Sequence, residues 1–259
     1  MKTYGLIGYP LGHSFSKRFF TQRFEQEQSQ EMYLNFEIDP IDDLLDIVLN
    51  HPDLVGLNVT IPYKTAVIPF LHSTDLIASA VGAVNTIRIE RLSNQRILLH
   101  GHNTDVFGFT ESLRPLLEPH HQKALVLGSG GAARAVVYAL ENLGISAITV
   151  SRIAKKPSDI TYQALTPKLM AECLLIVNTT PLGTYPTTDT LPNIPYNLIT
   201  SEHLLYDLVY NPPETRFLEH GNIVGAKTKN GLEMLHLQAM QSYAIWNGYA
   251  SIPPVSSPC

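Results

Sequence analysis

Short β-type runs alternate with longer helical runs along almost the whole chain, and this order constrains the fold more than any other feature. In the first half, β-type runs at 3–8, 32–38 and 54–60 enclose amphipathic runs at 16–28 and 40–50. Strands separated by helices usually pair in parallel and are covered by helices on both faces. The sequence therefore predicts an α/β protein with parallel sheets.

The second half continues the same alternation after one interruption. Residues 84–90 and 95–101 predict a hairpin joined through Ser93-Asn94. Beyond it, the pattern predicts a helix at 106–117, strands at 123–127, 147–151, 174–178, 204–208 and 222–224, an alanine-rich helix at 130–143 and a long helix at 232–246.

This order predicts two domains with a cleft between them. The first α/β unit spans residues 1–103, and the C-terminal segment 231–259 returns to it. The second spans residues 104–230 and is expected to be a Rossmann-type doubly wound parallel sheet.

A glycine-rich turn joins a predicted strand directly to a predicted helix at residues 123–133. Gly128 permits a tight turn, and Gly130 leaves room for a pyrophosphate at the helix N-terminus. Ala133 allows the helix to pack closely on the strand. The spacing is that of the dinucleotide-binding fingerprint in its required context. A tight turn without a ligand is the alternative interpretation.

The end of the next strand indicates which dinucleotide would bind. An NAD site usually carries Asp or Glu there, to bind the ribose 2′-hydroxyl. This strand instead ends in Ser151-Arg152, and Lys155 and Lys156 follow. Cationic groups suit a 2′-phosphate, so the sequence favours NADP. A solvated basic loop would have the same composition.

Polar groups also follow two predicted strands of the first unit. Ser14 and Ser16 stand just before a helix and could donate to an anion, although N-capping explains them equally well. Asn58 and Thr60 lie on one side of a strand end. Lys64 follows and could transfer protons from a cleft, whereas most lysines are simply exposed at the surface.

Two further turns carry an amide or a carboxylate. Asn85 lies in Gly-Ala-Val-Asn-Thr, and Asp105 ends Asn-Thr-Asp. Asp105 could keep Lys64 charged or relay its proton, but it could equally cap the helix predicted to begin at Val106.

The overall composition excludes several classes of partner. A net charge of −5 provides no general basic field for nucleic acid or anionic lipid. The only cysteines, Cys173 and Cys259, predict neither a disulfide nor a zinc site. No signal peptide or membrane-spanning run is apparent, and we expect a cytoplasmic protein without a bound metal.

Eight ordered motifs resemble those of the shikimate dehydrogenase family. They are G-H-S-x-S at 12–16, N-V-T-x-P-x-K at 58–64, G-A-V-N-T at 82–86, N-T-D-x-x-G at 103–108, G-x-G-G-A-A-R at 128–134, N-T-T-P-x-G at 178–183, D-x-x-Y-N-P at 207–212 and G-x-x-M-L-x-x-Q at 231–238.

The resemblance implies NADPH-dependent reduction of 3-dehydroshikimate to shikimate, in the biosynthesis of aromatic amino acids. It implies that Lys64 and Asp105 form the catalytic pair. It implies that the substrate site is formed by Ser14, Ser16, Asn58, Thr60, Asn85, Asp105, Tyr210 and Gln238. It implies that the cofactor site is formed by Gly128, Gly130, Gly131, Ala132, Ser151, Arg152, Lys156, Asn178, Thr179, Gly231 and Met234.

The chain departs from the family pattern in the cofactor region. Ser151-Arg152-Ile153 replaces the usual Asn-Arg-Thr, and Lys156 stands where a second arginine is expected, so the preference for NADP could be weaker. A quinate/shikimate dehydrogenase that uses NAD and a non-catalytic NADP-binding regulatory module are the alternatives. A monomer or a homodimer is expected.

Overall fold

A computed structural model describes residues 1–12, 15–154 and 159–249 of the chain. The chain forms two compact units, one of residues 1–104 with the segment from Ala239 onward, and one of residues 105–238. The C-terminal helix therefore begins in the second unit and ends in the first, whereas the sequence placed all of 231–259 with the first. The reason is that Gly108 lets the first half of this helix pack closely within the second unit.

The first unit is built on a six-stranded sheet. Its elements are β1 (Thr3–Gly8), α1 (Phe15–Gln26), β2 (Met32–Glu37), α2 (Leu44–Asn50), β3 (Leu54–Val59), β4 (Ser73–Thr74), α3 (Leu76–Val81), β5 (Thr86–Arg91) and β6 (Ile97–His102). The strand order is β2-β1-β3-β5-β6-β4.

This first sheet is mixed, because the strands of the predicted hairpin add antiparallel pairs to its parallel ones. β1 pairs in parallel with β2 and β3, and β4 pairs in parallel with β6. β5 pairs antiparallel with both β3 and β6. The predicted hairpin is confirmed as β5 and β6: its short turn reverses the chain, and Leu92 N donates to Arg96 O at 2.9 Å.

Both faces of the first sheet are covered by hydrophobic clusters. One cluster contains α2 residues such as Leu44 and Val48, packed on Leu57 and Ile87. The other contains aromatic residues of α1 and of the C-terminal helix, including Trp246. A side chain at position 56 would overlap the Trp246 indole, so only glycine allows this helix to approach β3.

The second unit contains a six-stranded sheet in which every pairing is parallel. Its elements are α4 (Asp105–Leu113), β7 (Lys123–Leu127), α5 (Gly131–Asn142), β8 (Ser146–Ser151), β9 (Ile160–Thr161), α6 (Pro167–Glu172), β10 (Leu175–Asn178), β11 (Leu204–Asp207), α7 (Arg216–Ile223), β12 (Lys227–Lys229) and the start of α8 (Leu232–Asn247). The order β12-β11-β10-β7-β8-β9 is the Rossmann order, which confirms the predicted fold class.

The strand predicted at 222–224 is wrong. The Thr215 side chain caps α7 by accepting from Leu218 N, and the helix continues to Ile223. Gly225, with φ of +75°, then reverses the chain into β12. A short apolar run fits either a strand or the last turn of a helix, and here the cap decides.

No helix in the described part of the chain has both the length and the apolar character that crossing a membrane requires.

Candidate active site

Topology brings four polar segments of the first unit to one edge of its sheet. β1 and β3 are parallel and end at the same edge, where the antiparallel β5 begins and β6 ends. Asn58 of β3 pairs with Thr86 of β5, which pairs with His102 of β6. The segments that follow β1, β3 and β6, and the one that precedes β5, therefore converge.

Asn58 lies at the centre of a buried polar network. Its Nδ2 donates to Ser242 Oγ at 3.0 Å, and its Oδ1 accepts from the Tyr33 hydroxyl at 2.7 Å. The Ser242 and Thr86 hydroxyls are 2.7 Å apart. All four side chains are buried. Asn58 is therefore an oriented amide and not a mobile surface group.

Asn85 extends this network toward the end of β6. Its Oδ1 accepts from Thr104 N at 2.7 Å, and its Nδ2 donates to Thr104 Oγ1 at 3.0 Å. Thr104 Oγ1 lies 3.1 Å from Ser242 Oγ. The two predicted substrate amides are thus joined through Thr104 and Ser242.

The serine pair predicted for the substrate carboxylate is described only in part. Ser14 lies outside the described residues. Ser16 is the second residue of α1, is half-buried and hydrogen-bonds the Tyr33 hydroxyl. Burial raises the pKa of Tyr33 well above its usual range, so its hydroxyl stays protonated and can donate to Asn58.

Thr60 and Lys64 lie in the turn that follows β3. Thr60 is half-buried, and its N donates to Ile7 O at 3.0 Å. The Lys64 carbonyl accepts from Val84 N at 2.7 Å, which ties this turn to the segment that leads to Asn85. Lys64 is half-buried and therefore less exposed than most lysines.

In the second unit, Asp105 and Gln238 lie on helices that pack closely. Asp105 is the first residue of α4 and is 5% exposed, so the helix starts one residue before the predicted Val106. A Cβ at Gly108 would lie 2.6 Å from Met234 O and 3.1 Å from Gln238 Cβ. Gln238 is also buried, and its Nε2 donates to Leu235 O at 2.8 Å.

The segment after β11 leads to Tyr210, Gly231 and Met234. Tyr210 is half-buried, and Met234 is buried in the first turn of α8. Gly231 N donates to Val209 O at 3.1 Å, and a Cβ at position 231 would collide with the Leu208 carbonyl. Glycine is therefore required where α8 leaves this segment.

The turn between β7 and α5 has the geometry of a dinucleotide site. Gly128 has φ of +121°, and a Cβ there would lie 2.5 Å from Thr179 Oγ1, which itself donates to Leu127 O. Gly130 differs, because no described residue lies within 4 Å of a Cβ added there, and it precedes the N-terminus of α5. Gly131 and Ala132, in the first turn of α5, are partly exposed. This arrangement leaves room for a pyrophosphate at the helix N-terminus.

Asn178 supports the cofactor region through the protein itself. Its side chain is buried, its Nδ2 donates to Asp207 Oδ1 at 2.9 Å, and its Oδ1 accepts from the Thr180 hydroxyl at 2.6 Å. These bonds fix the loop after β10 and leave the amide little capacity to bind a ligand.

Asp207 is a buried carboxyl group that the predicted site does not include. It accepts from Asn178 Nδ2, from Val209 N at 3.0 Å and from the Thr215 hydroxyl at 2.6 Å. Burial nevertheless raises the pKa of Asp207 to about 6, because these hydrogen bonds compensate only partly for the loss of solvation.

The residues predicted to select NADP lie after β8. Ser151 is buried, and its Oγ donates to Ile153 O at 2.7 Å, so its hydroxyl is already used within the turn. Arg152 is exposed, and its charge lowers the pKa of Tyr162 against the larger, opposite effect of burial. Lys156 lies outside the described residues.

Four residues of the first unit belong to the polar network without having been predicted: Tyr33, Thr86, Thr104 and Ser242. Thr86 and Thr104 lie inside motifs quoted for their neighbours. Ser242 follows Gln238 by one helical turn and so lies on the same helix face, which was the available signal. Nothing in the local sequence distinguishes Tyr33. Among the described residues, no group of three or more His, Cys, Asp or Glu side chains could hold a metal ion.

Comparison with known proteins agrees with these features. Residues 6–87 match the model of the shikimate dehydrogenase substrate binding domain. The NADP(+)-dependent shikimate dehydrogenase of Carboxydothermus hydrogenoformans is 37% identical over 270 residues, which cover 98% of this chain and 94% of that protein.

Solved structures give the same result. Shikimate dehydrogenase from Aquifex aeolicus superposes with a TM-score of 0.84 at 33% identity, covering 98% of this chain and 94% of that one. Shikimate 5-dehydrogenase from Thermus thermophilus, in complex with NADP(H) and shikimate, has a TM-score of 0.83 at 29% identity and covers 98% and 95%. The chain belongs to the shikimate dehydrogenase family.

Proposed function

We propose that this chain catalyses the reversible reduction of 3-dehydroshikimate to shikimate with NADPH, in the biosynthesis of aromatic amino acids. The observation that carries the proposal is that Lys64 and Asp105 both stand in their family motifs, on a chain that aligns with NADP-dependent shikimate dehydrogenases over nearly its whole length. A protein that only sensed the nucleotide would need neither residue.

The second unit fits the cofactor. The open space at Gly130 would be filled by any side chain, and it lies where the N-terminus of α5 can bind a pyrophosphate. Arg152 suits a 2′-phosphate, and no acidic residue stands beside it to prefer the ribose 2′-hydroxyl of NAD. NADPH bound there supplies the hydride that reduces the ketone.

The protein's own groups bind the substrate and handle the proton. We assign the carboxylate to Ser14 and Ser16, and we propose that Tyr210 lines the substrate site. The ring hydroxyls are assigned to Asn58, Thr60, Asn85, Asp105 and Gln238. As the ketone is reduced, negative charge develops on its oxygen. The Lys64 ammonium stabilises that charge and donates the proton, and Asp105 orients the ammonium.

One assay tests the proposal against its alternatives. NADPH formation is measured with shikimate and NADP. The assay is then repeated with quinate, and with NAD, where NADH is the product measured. A much higher kcat/KM for shikimate with NADP is expected. Comparable rates with quinate and NAD would favour the quinate/shikimate dehydrogenase, and absence of turnover with every pair would favour the regulatory module.

We also propose that the enzyme acts in the cytoplasm as a monomer or homodimer. The free, buried thiol of Cys173 is consistent with a reducing compartment. Light scattering of the purified chain would distinguish the monomer from the homodimer.

A further inference from the structure

We propose that Tyr33 and Ser242 are positioning residues that hold the Asn58 amide from its two ends and so determine how it meets a substrate hydroxyl. The inference rests on the proposed function, because it concerns the substrate that Asn58 would bind. Tyr33 reaches Asn58 from β2, and Ser242 reaches it from α8. Neither residue needs to touch the substrate.

The hydrogen bonds determine the orientation of the amide. Asn58 Nδ2 donates to Ser242 Oγ at 3.0 Å and lies 3.3 Å from the Asn85 carbonyl oxygen. A carbonyl can only accept, so the opposite amide orientation would place two acceptors against each other. The Tyr33 hydroxyl then donates to Asn58 Oδ1 at 2.7 Å.

The Asn58 side chain uses most of its hydrogen-bonding capacity inside the protein. Both Nδ2 protons have partners inside the protein, in Ser242 and in the Asn85 carbonyl or Thr86 Oγ1. Among the described residues, Oδ1 accepts from one donor, Tyr33, and an amide oxygen can accept two hydrogen bonds. Asn58 is therefore expected to accept a hydrogen bond from a ring hydroxyl and not to donate one.

Tyr33 also links the two parts of the predicted substrate site. Its hydroxyl bonds Ser16 on one side and Asn58 on the other. Tyr33 and Asn58 are 3% and 5% exposed, and Ser242 is fully buried, so water has little access to replace a lost partner. Removal of either partner should let the amide rotate and weaken substrate binding.

The test uses Tyr33→Phe and Ser242→Ala. Phenylalanine keeps the stacking of this ring on Phe20, whose centroid is 4.8 Å away, so the fold should survive. Each variant should lower kcat/KM for shikimate about two- to tenfold, which is the range for one lost hydrogen bond, mainly through KM. The KM for NADP should not change.

Ser112→Ala is the matched control. Ser112 is a buried serine whose Oγ lies 2.6 Å from the Tyr206 hydroxyl, and it is not one of the hydrogen-bond partners of Asn58. It should lower the Tm without changing the KM for shikimate. If Tyr33→Phe and Ser242→Ala behave like Ser112→Ala, the inference is wrong.

The double variant provides the sharper measurement. If both residues hold the same amide, the first substitution already releases it, and the double effect on kcat/KM should be smaller than the product of the single effects. Effects that multiply would overturn the inference. Wild-type turnover of shikimate is measured in the same series, so a failure of the proposed function appears in the wild type and a failure of this inference only in the variants.

Discussion

The two units prepare their predicted ligand sites in different ways. In the first unit, buried side chains such as Asn58 and Asn85 hold one another in a hydrogen-bonded network. In the second unit, the site is made of backbone around Gly130, where the structure leaves open space. A site of side chains depends on distant partners, whereas a site of backbone depends on local conformation. Substitutions in the two regions should therefore differ in how they affect stability and ligand binding.

The largest effect is expected at Lys64. Lys64→Ala should lower kcat by about 10²- to 10⁴-fold, the usual contribution of a positioned general acid. Lys64 is only half-buried, so the Tm should change little. Steady-state kinetics and thermal unfolding of the same preparation measure both effects. A variant that keeps most of its kcat would remove Lys64 from the mechanism.

The next largest effect is expected in the pH dependence of the free energy of unfolding, and it comes from Asp207. The pKa of Asp207 is raised from 3.8 to about 6. At 1.4 kcal/mol per pKa unit, this shift corresponds to a contribution of roughly 3 kcal/mol to the free energy of unfolding. Because the folded pKa is the higher one, this contribution is fully present below pH 3.8 and is lost as the pH rises through 6.

The measurement is the free energy of unfolding of the wild type and of Asp207→Asn from pH 4 to pH 8. Carboxyl groups with lowered pKa values, such as Glu118 and Glu172, act in the opposite direction in both proteins and cancel in the difference. The wild type should lose more stability than the variant over this range. Parallel curves would show that Asp207 does not titrate there.

The two glycines of the β7–α5 turn offer a direct comparison. Gly128→Ala should destabilise the protein by about 1–3 kcal/mol, because φ of +121° is strained for alanine and its Cβ would meet Thr179 Oγ1 at 2.5 Å. Gly130→Ala should fold normally, since no atom of the described residues lies within 4 Å of the Cβ that it adds. It should instead raise the KM for NADP, because the methyl group occupies space proposed for the pyrophosphate.

Thermal unfolding and cofactor KM are measured for both glycine variants. The KM for shikimate serves as the internal control and should stay the same in Gly130→Ala. Equal loss of stability in the two variants would contradict the distinction between a conformational and a ligand-facing glycine.

The smallest effect is expected at Arg152. Arg152→Ala should raise the KM for NADP by about tenfold or less and barely change the KM for NAD. A charge-assisted contact contributes roughly 1.5–3 kcal/mol, and exposure to solvent reduces that value. The difference should shrink as the salt concentration rises. Equal losses for both cofactors would assign Arg152 to adenine packing or to the fold.

The sequence by itself was sufficient to predict the structure wherever the physical cause of that structure is local. The strand, glycine turn and helix at 123–142 follow from hydrophobic periodicity and from a backbone conformation that glycine alone adopts easily at Gly128. The Rossmann unit follows from the repetition of such segments. The family motifs then placed Lys64 after a strand and Asp105 at the start of a helix. In the structure Lys64 lies in the turn that follows β3, and Asp105 is the first residue of α4.

Only the tertiary structure decided which residues complete the polar network. Ser242 and Asn58 are 184 positions apart and meet because α8 packs on the first sheet, and Tyr33 meets Asn58 only because β2 and β3 both flank β1. Such outcomes depend on packing between distant segments, which periodicity and spacing along the chain do not encode.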